Sequence, residues 1–129
     1  MKKGFTLLET LIVIIIIGIL VGLALPLYTK AKERALGNEA KANLKLIAAA
    51  ERIYKMEIGG YYTSSNITNI NSNLRLMLNT NNWAYNITGG ATNFTTNAYR
   101  QGSGGYLDCQ YSLAHNDADG EPNPSASCP

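Results

Sequence analysis

Between Thr10 and Thr29 the chain carries twenty consecutive residues without a charge, most of them isoleucine, leucine or valine. As a helix rising about 1.5 Å per residue this run spans about 30 Å, the hydrocarbon thickness of a bilayer. This segment can span a membrane. The remaining residues suffice for one small domain. At the near edge of the run stands Glu9. A charged acid near the membrane core costs about 2.5–3.5 kcal/mol even on lenient scales, so Glu9 requires a cation or a role.

Lys2 and Lys3 precede the run, which by the positive-inside rule keeps the N-terminus cytoplasmic and places everything after Lys30 outside. The topology expected is single-pass, N-in and C-out. A secretory signal would have a shorter apolar stretch of about 7–15 residues and a small-residue cleavage site beyond it; here Pro26-Leu27-Tyr28 follows. Formal charge is +2, and Lys2 and Lys3 account for it. No specific nucleic-acid partner is indicated.

From Phe5 to about Ile58 the residues are helix formers or membrane aliphatics, interrupted by Gly18, Gly22, Pro26 and Gly37. One long helix is predicted, ended by Gly59-Gly60. Its second half is amphipathic: Leu36, Ala40, Leu44, Ile47, Tyr54 and Ile58 recur at steps of three or four. Glu51 interrupts the row, and Leu46, Ala50 and Ile53 widen it. Basic residues between Lys30 and Lys55 alternate with Glu33, Glu39, Glu51 and Glu57, the pattern of a solvated helix face with ion pairs four apart. Pro26 removes a backbone donor, so the helix is expected to loosen there, with Gly18 and Gly22 adding compliance.

Beyond the helix, residues 63–97 are rich in Asn, Ser and Thr, and the short apolar patch Leu74, Leu76, Met77, Leu78 suits a helical turn or a brief strand. Alternation then marks strands: Trp83, Tyr85 and Ile87, a Gly89-Gly90 turn, a Thr-rich stretch from Phe94 to Tyr99, and a turn at 102–105. Leu107, Cys109, Tyr111 and Leu113 alternate after it. Three antiparallel strands are expected to cover the helix stripe, followed by an aperiodic tail. Cys109 and Cys128 both lie on the side assigned to an oxidising compartment, so a disulfide is the default.

Gly4-Phe5-Thr6-Leu7-Leu8-Glu9, a short Lys-containing leader and the apolar run with Gly18 and Pro26 together resemble the N-terminus of type IV pilins and pseudopilins. The resemblance covers about the first thirty residues. It implies an α+β, pilin-like fold: a long N-terminal helix, half transmembrane and half amphipathic, packed on a small antiparallel sheet with a C-terminal disulfide loop. The division expected is a leader at 1–4, a transmembrane and assembly helix at 5–29 and a head at 30–129. Within the head fall the amphipathic half-helix at 30–58, a connecting region at 59–82, the sheet at 83–113 and the terminal loop at 114–129.

The resemblance further implies that a prepilin peptidase cuts between Gly4 and Phe5 and methylates the new amino group of Phe5. Glu9 would then find its cation in the Phe5 ammonium of its own or a neighbouring chain, and the helix N-terminus favours the carboxylate as well. The implied partners are further copies of the chain in a helical filament, the peptidase, an assembly ATPase and a platform protein, with the bacterial cytoplasmic membrane holding the subunit before it joins an extracellular pilus. Adhesion, twitching motility and DNA uptake are the implied roles. A type II secretion pseudopilin shares the leader and rod, and a monomeric signal-anchored binding domain is the reading from another class.

Other motifs are weaker. Asp117, Asp119, Gly120 and Glu121 offer alternating oxygens of the kind calcium loops use, although Asx-Gly clusters are also ordinary turn chemistry. No other cofactor is suggested. Three Asn-x-Thr sequons, at Asn66, Asn86 and Asn93, are about the number that such an Asn- and Thr-rich composition yields by chance. His115 is the only histidine and reads as a loop residue, the tyrosines read as core and interface aromatics, and no catalytic arrangement is recognisable. The expectation is a structural protein rather than an enzyme.

Overall fold

The computed structural model describes residues 3–117 and 120–129. Its contacts divide the chain into two units, residues 1–34 and 35–129. One helix, α1 (Leu7–Ile58), supplies the first unit and the start of the second.

In the first unit α1 is uncovered. Every described residue of the apolar run is exposed, and the segment is long and apolar enough to cross a membrane. The helix starts at Leu7 rather than Phe5, because Thr6 caps it: its hydroxyl accepts from the Glu9 amide at 3.2 Å and its carbonyl from the Thr10 amide at 3.2 Å. Pro26 lies inside the helix without ending it.

The second unit is an α+β head. Helix α2 (Ile67–Leu74) follows the first helix, and four strands follow that: β1 (Trp83–Gly89), β2 (Phe94–Arg100), β3 (Gln110–Ala114) and β4 (Asn123–Pro124). They form one antiparallel sheet in the order β1-β2-β3-β4. The register pairs Tyr85 with Ala98 and Ala98 with Tyr111, so one face carries Trp83, Tyr85, Ile87, Phe94, Ala98, Tyr111 and Leu113 into the core. Against them α1 presents Ala40, Leu44, Ile47, Ala48 and Ala50, with Ile70, Leu74 and Leu78 closing one side. Fully burying a large aliphatic or aromatic side chain stabilises by about 1.5–3 kcal/mol, so this shared core holds the head together.

Several sequence expectations need correction. Leu46, Ile53 and Ile58 are exposed rather than part of the buried stripe; the first two line a shallow groove with Leu74 and Leu76. Ala48 and Gly37 take up the contact instead, since small residues let the helix approach the sheet closely. Glu51 lies in the core, not on a solvated face. Glu39 and Glu57 reach distant partners, accepting from Asn82 at 3.0 Å and pairing with Arg75 at 3.5 Å. Leu107 is largely exposed in the long 101–109 connection, so the third strand starts only at Gln110.

The polar region 63–82 is more regular than its composition suggests. Asn66 caps α2 by accepting from the Thr68 and Asn69 amides at 2.9 and 3.3 Å. Arg75 ends α2 in the left-handed region at φ 55°, where the Leu76 amide reaches the Asn71 carbonyl. Asn71 also clamps Leu78, donating to its carbonyl at 2.8 Å and accepting from its amide at 2.9 Å. Of the apolar patch, Leu74 and Leu78 are buried whereas Met77 is 98% exposed.

The tail is tied twice. Cys109 and Cys128 form the disulfide. β4 adds a fourth strand where only a loop was expected, pairing Pro124 with Tyr111 and Asn123 with Ser112.

Candidate assembly and processing site

Thr6-Leu7-Leu8-Glu9 has the form of a capping box, with Thr6 at the N-cap and Glu9 three residues on. The carboxylate therefore sits in the first turn of α1, where free amides and the helix dipole favour negative charge. Gly4 and Phe5 precede the helix without regular secondary structure, and Phe5 is 85% exposed. The Gly4–Phe5 peptide, where the sequence resemblance implies cleavage, is thus outside regular structure. The capping role of Thr6 is a signal that the sequence reading missed, although the S/T-x-x-E spacing contains it.

Gly22 and Pro26 stand four apart, and the pairing has a physical logic. Pro26 has no amide proton for the Gly22 carbonyl, and its ring crowds residue i−4, where a glycine offers the least bulk. Thr29 donates its hydroxyl to the Pro26 carbonyl at 2.9 Å, one turn on. A Cβ added at Gly18 or Gly22 would meet open space.

On the head, α1 is bound to the sheet by polar as well as apolar contacts. The Trp83 indole donates to the Leu36 carbonyl at 2.9 Å, and Asn43 donates to the Tyr85 hydroxyl at 2.7 Å. Burial pushes the Tyr85 phenol above its ordinary value, and the Asn43 bond partly offsets this. Gly37 is where the helix passes the Tyr111 hydroxyl so closely that a Cβ would collide with it. His115 is more than a loop residue: its ring packs against Tyr61 and Phe94, at 5.4 and 5.9 Å between centroids.

Of the suggested calcium ligands, Asp119 lies outside the described residues. Asp117 accepts from the Ala114 amide at 2.7 Å and Glu121 pairs with Lys45, so both carboxylates hold other partners. Among the described residues no three potential ligands cluster in a way that could hold a metal ion.

Comparison with known proteins agrees with this geometry at the N-terminus. Residues 1–25 match the prokaryotic N-terminal methylation motif. The chain is 41% identical over 65 residues to the type IV major pilin protein PilA of Myxococcus xanthus, covering 50% of this chain and 30% of that protein. It is 38% identical over 60 residues to the type II secretion system core protein G of Pseudomonas aeruginosa, covering 46% and 42%. Against the core protein G of Escherichia coli it is 36% identical over 64 residues, covering 50% and 44%. The matched region spans less than half the length of each of these relatives. No solved structure gives a significant match. The chain therefore carries a pilin-type methylation motif at the head of a pilin-like α+β fold.

Proposed function

We propose that this chain is the structural subunit of a type IV pilus, cut between Gly4 and Phe5 by a prepilin peptidase, methylated on Phe5, and polymerised through its N-terminal helix. The observation that carries the reading is an apolar helix without cover, opened by a capped first turn that contains Glu9 and lies within the match to the N-terminal methylation motif. The helix waits in the cytoplasmic membrane with its N-terminus inside and its head outside, and then exchanges lipid for the helices of other copies. Apolar burial changes little in that exchange, so specificity must come from elsewhere. A carboxylate placed against the ammonium of an adjoining subunit supplies it, since a mismatched register would leave both charges in an apolar medium.

An assembly ATPase and a platform protein would drive extraction, and the fibre would serve adhesion, twitching motility or DNA uptake. The chain acts by assembling, with no chemical step of its own. Mass spectrometry of the N-terminal peptide from membranes and from sheared surface material tests the reading: methylated Phe5 is expected in both. Intact Met1 in assembled material would overturn it and favour a signal-anchored monomer.

A second reading has its own support. Two of the relatives are core protein G of type II secretion, and the match covers more of their length than it does of the pilin. In that case the same processed subunit builds a short periplasmic fibre. For the surface pilus stand the disulfide-tied tail and the Asn- and Thr-rich head, which suit lasting exposure. Recovery of the chain in fibres sheared from cells supports the pilus; retention in the envelope of cells that secrete folded enzymes supports the alternative.

A further inference from the structure

The head buries one carboxylate that nothing neutralises. Glu51 has no exposed surface. One of its oxygens accepts from the Tyr62 amide at 2.9 Å, and the other has no hydrogen-bond partner among the described residues. An ionised acid in such a place is strongly disfavoured, whereas the neutral acid keeps a carbonyl for Tyr62 and gains a donor.

Among the described residues Glu51 has no ion pair. On α1, Lys55 is one turn further on, with its ammonium over the Tyr61 ring at 4.4 Å. Arg52 lines a separate cavity with Lys45 and Asp117. Among the described residues the inward side of the sheet carries no ionisable acid or base, its polar groups being the Trp83 indole and the hydroxyls of Tyr85, Thr96 and Tyr111, and α2 turns Ile70 and Leu74 inward. In the 59–64 connection stand Tyr61, which has His115 beside it, and Tyr62, whose ring meets Tyr54 edge-on at 5.6 Å.

That connection bears on the acid at one end and on the sheet at the other. Ser64 exchanges two backbone bonds with Ile87, at 3.1 and 2.8 Å. Ile87 faces Thr96 in the register, and the Thr96 hydroxyl is the other buried polar side-chain atom without a partner among the described residues. The connection is thus held at Tyr62 by the acid and at Ser64 by the edge of β1, with Thr96 on the far side of that strand.

We propose that Glu51 is a proton-operated latch that seats the 59–64 connection: the neutral acid stays in the core, and loss of its proton to water draws the connection away so that the carboxylate can be hydrated. The inference rests on the head alone and is independent of fibre assembly. Burial raises the Glu51 carboxyl from 4.5 to about 7, with the Tyr62 amide opposing. The seated state therefore holds the proton more tightly than the open one. Seating is strongest below about pH 4.5, weakens as pH rises toward about 7, and changes no further above that.

Hydrogen exchange of peptides covering 59–66, in the full-length chain in detergent micelles, tests this. After correction for intrinsic exchange, opening is expected to rise by up to about tenfold per pH unit between pH 5 and 7 and then level off. Glu51→Gln, which keeps the acceptor for Tyr62, is expected to show a flat profile. Equal protection of the wild type at pH 5 and 7, or an unchanged slope in Glu51→Gln, overturns the latch. Should the variant fail to fold, carbon NMR titration of the wild-type glutamate carboxyls decides: one near pH 7 supports the proposal, and all in the ordinary carboxylate range refute it.

Discussion

The two ends of α1 are built from the same helical backbone and meet opposite fates. From Leu7 to Tyr28 the large apolar side chains are exposed, whereas Leu44 and Ile47 are wholly buried against the sheet. The first stretch is apolar all round, as a helix is when its cover comes from lipid or from other helices; the second is apolar on one stripe, as a helix is when its own chain folds over it. The difference teaches that one helix can be stabilised intramolecularly at one end and left for intermolecular burial at the other. Charge marks the divide: the apolar run has none, and the head half carries alternating Lys, Arg and Glu.

This contrast can be broken most drastically at Glu9. Glu9→Ala or Glu9→Gln, expressed without a wild-type copy, is expected to abolish sheared fibres while leaving the level of membrane-bound, folded subunit unchanged. Normal fibre yield in either variant would refute the pairing of Glu9 with a neighbouring terminus. The complementary change is in the head: Leu44→Ala removes a fully buried side chain and is expected to destabilise that unit by about 3–4 kcal/mol, with little effect on membrane insertion. Thermal unfolding and membrane fractionation of the same preparation separate the two effects.

Removing the Cys109–Cys128 link, whose ends are 19 residues apart, is expected to cost the head about 3 kcal/mol on the chain-entropy model. Chemical denaturation of the Cys109→Ser, Cys128→Ser double variant against the oxidised wild type measures it. A smaller effect is expected at Gly37. Gly37→Ala forces a Cβ against the Tyr111 hydroxyl, and the Tyr111 ring is itself held edge-on to Trp83 at 5.5 Å, so the loss should be about 1–3 kcal/mol. Adding Tyr111→Phe should recover part of it; strictly additive losses would show that the helix shifts rather than clashes.

How far the sequence could be read follows from the range of each interaction. The uncharged apolar helix, its end at Ile58 and the alternation in Trp83–Ile87 are local patterns, and all appear where expected. Gly89, at φ 136° and pressed against Phe94 Cα, is likewise a turn glycine that its neighbours announce. What escaped was set by distant partners. α2 depends on side-chain caps and on the Asn71–Leu78 clamp, which a count of asparagines does not reveal. β4 is two residues long and exists because β3 and the disulfide hold it. Glu51 has the residue type and spacing of a surface acid, and its burial, with the Tyr62 amide donating to it, is set by residues distant in sequence.

The sequence alone determined the α+β class, the apolar segment and the N-terminal methylation motif, because helical rise, the alternation of strands and a short contiguous string of side chains need no tertiary contact to be legible. Tertiary structure decided which side of the amphipathic half is covered, that Ala48 and Gly37 serve where Ile53 and Ile58 were expected, and that a glutamate lies in the core. Those outcomes depend on how closely two surfaces from distant parts of the chain approach, and spacing along one helix carries no record of that distance.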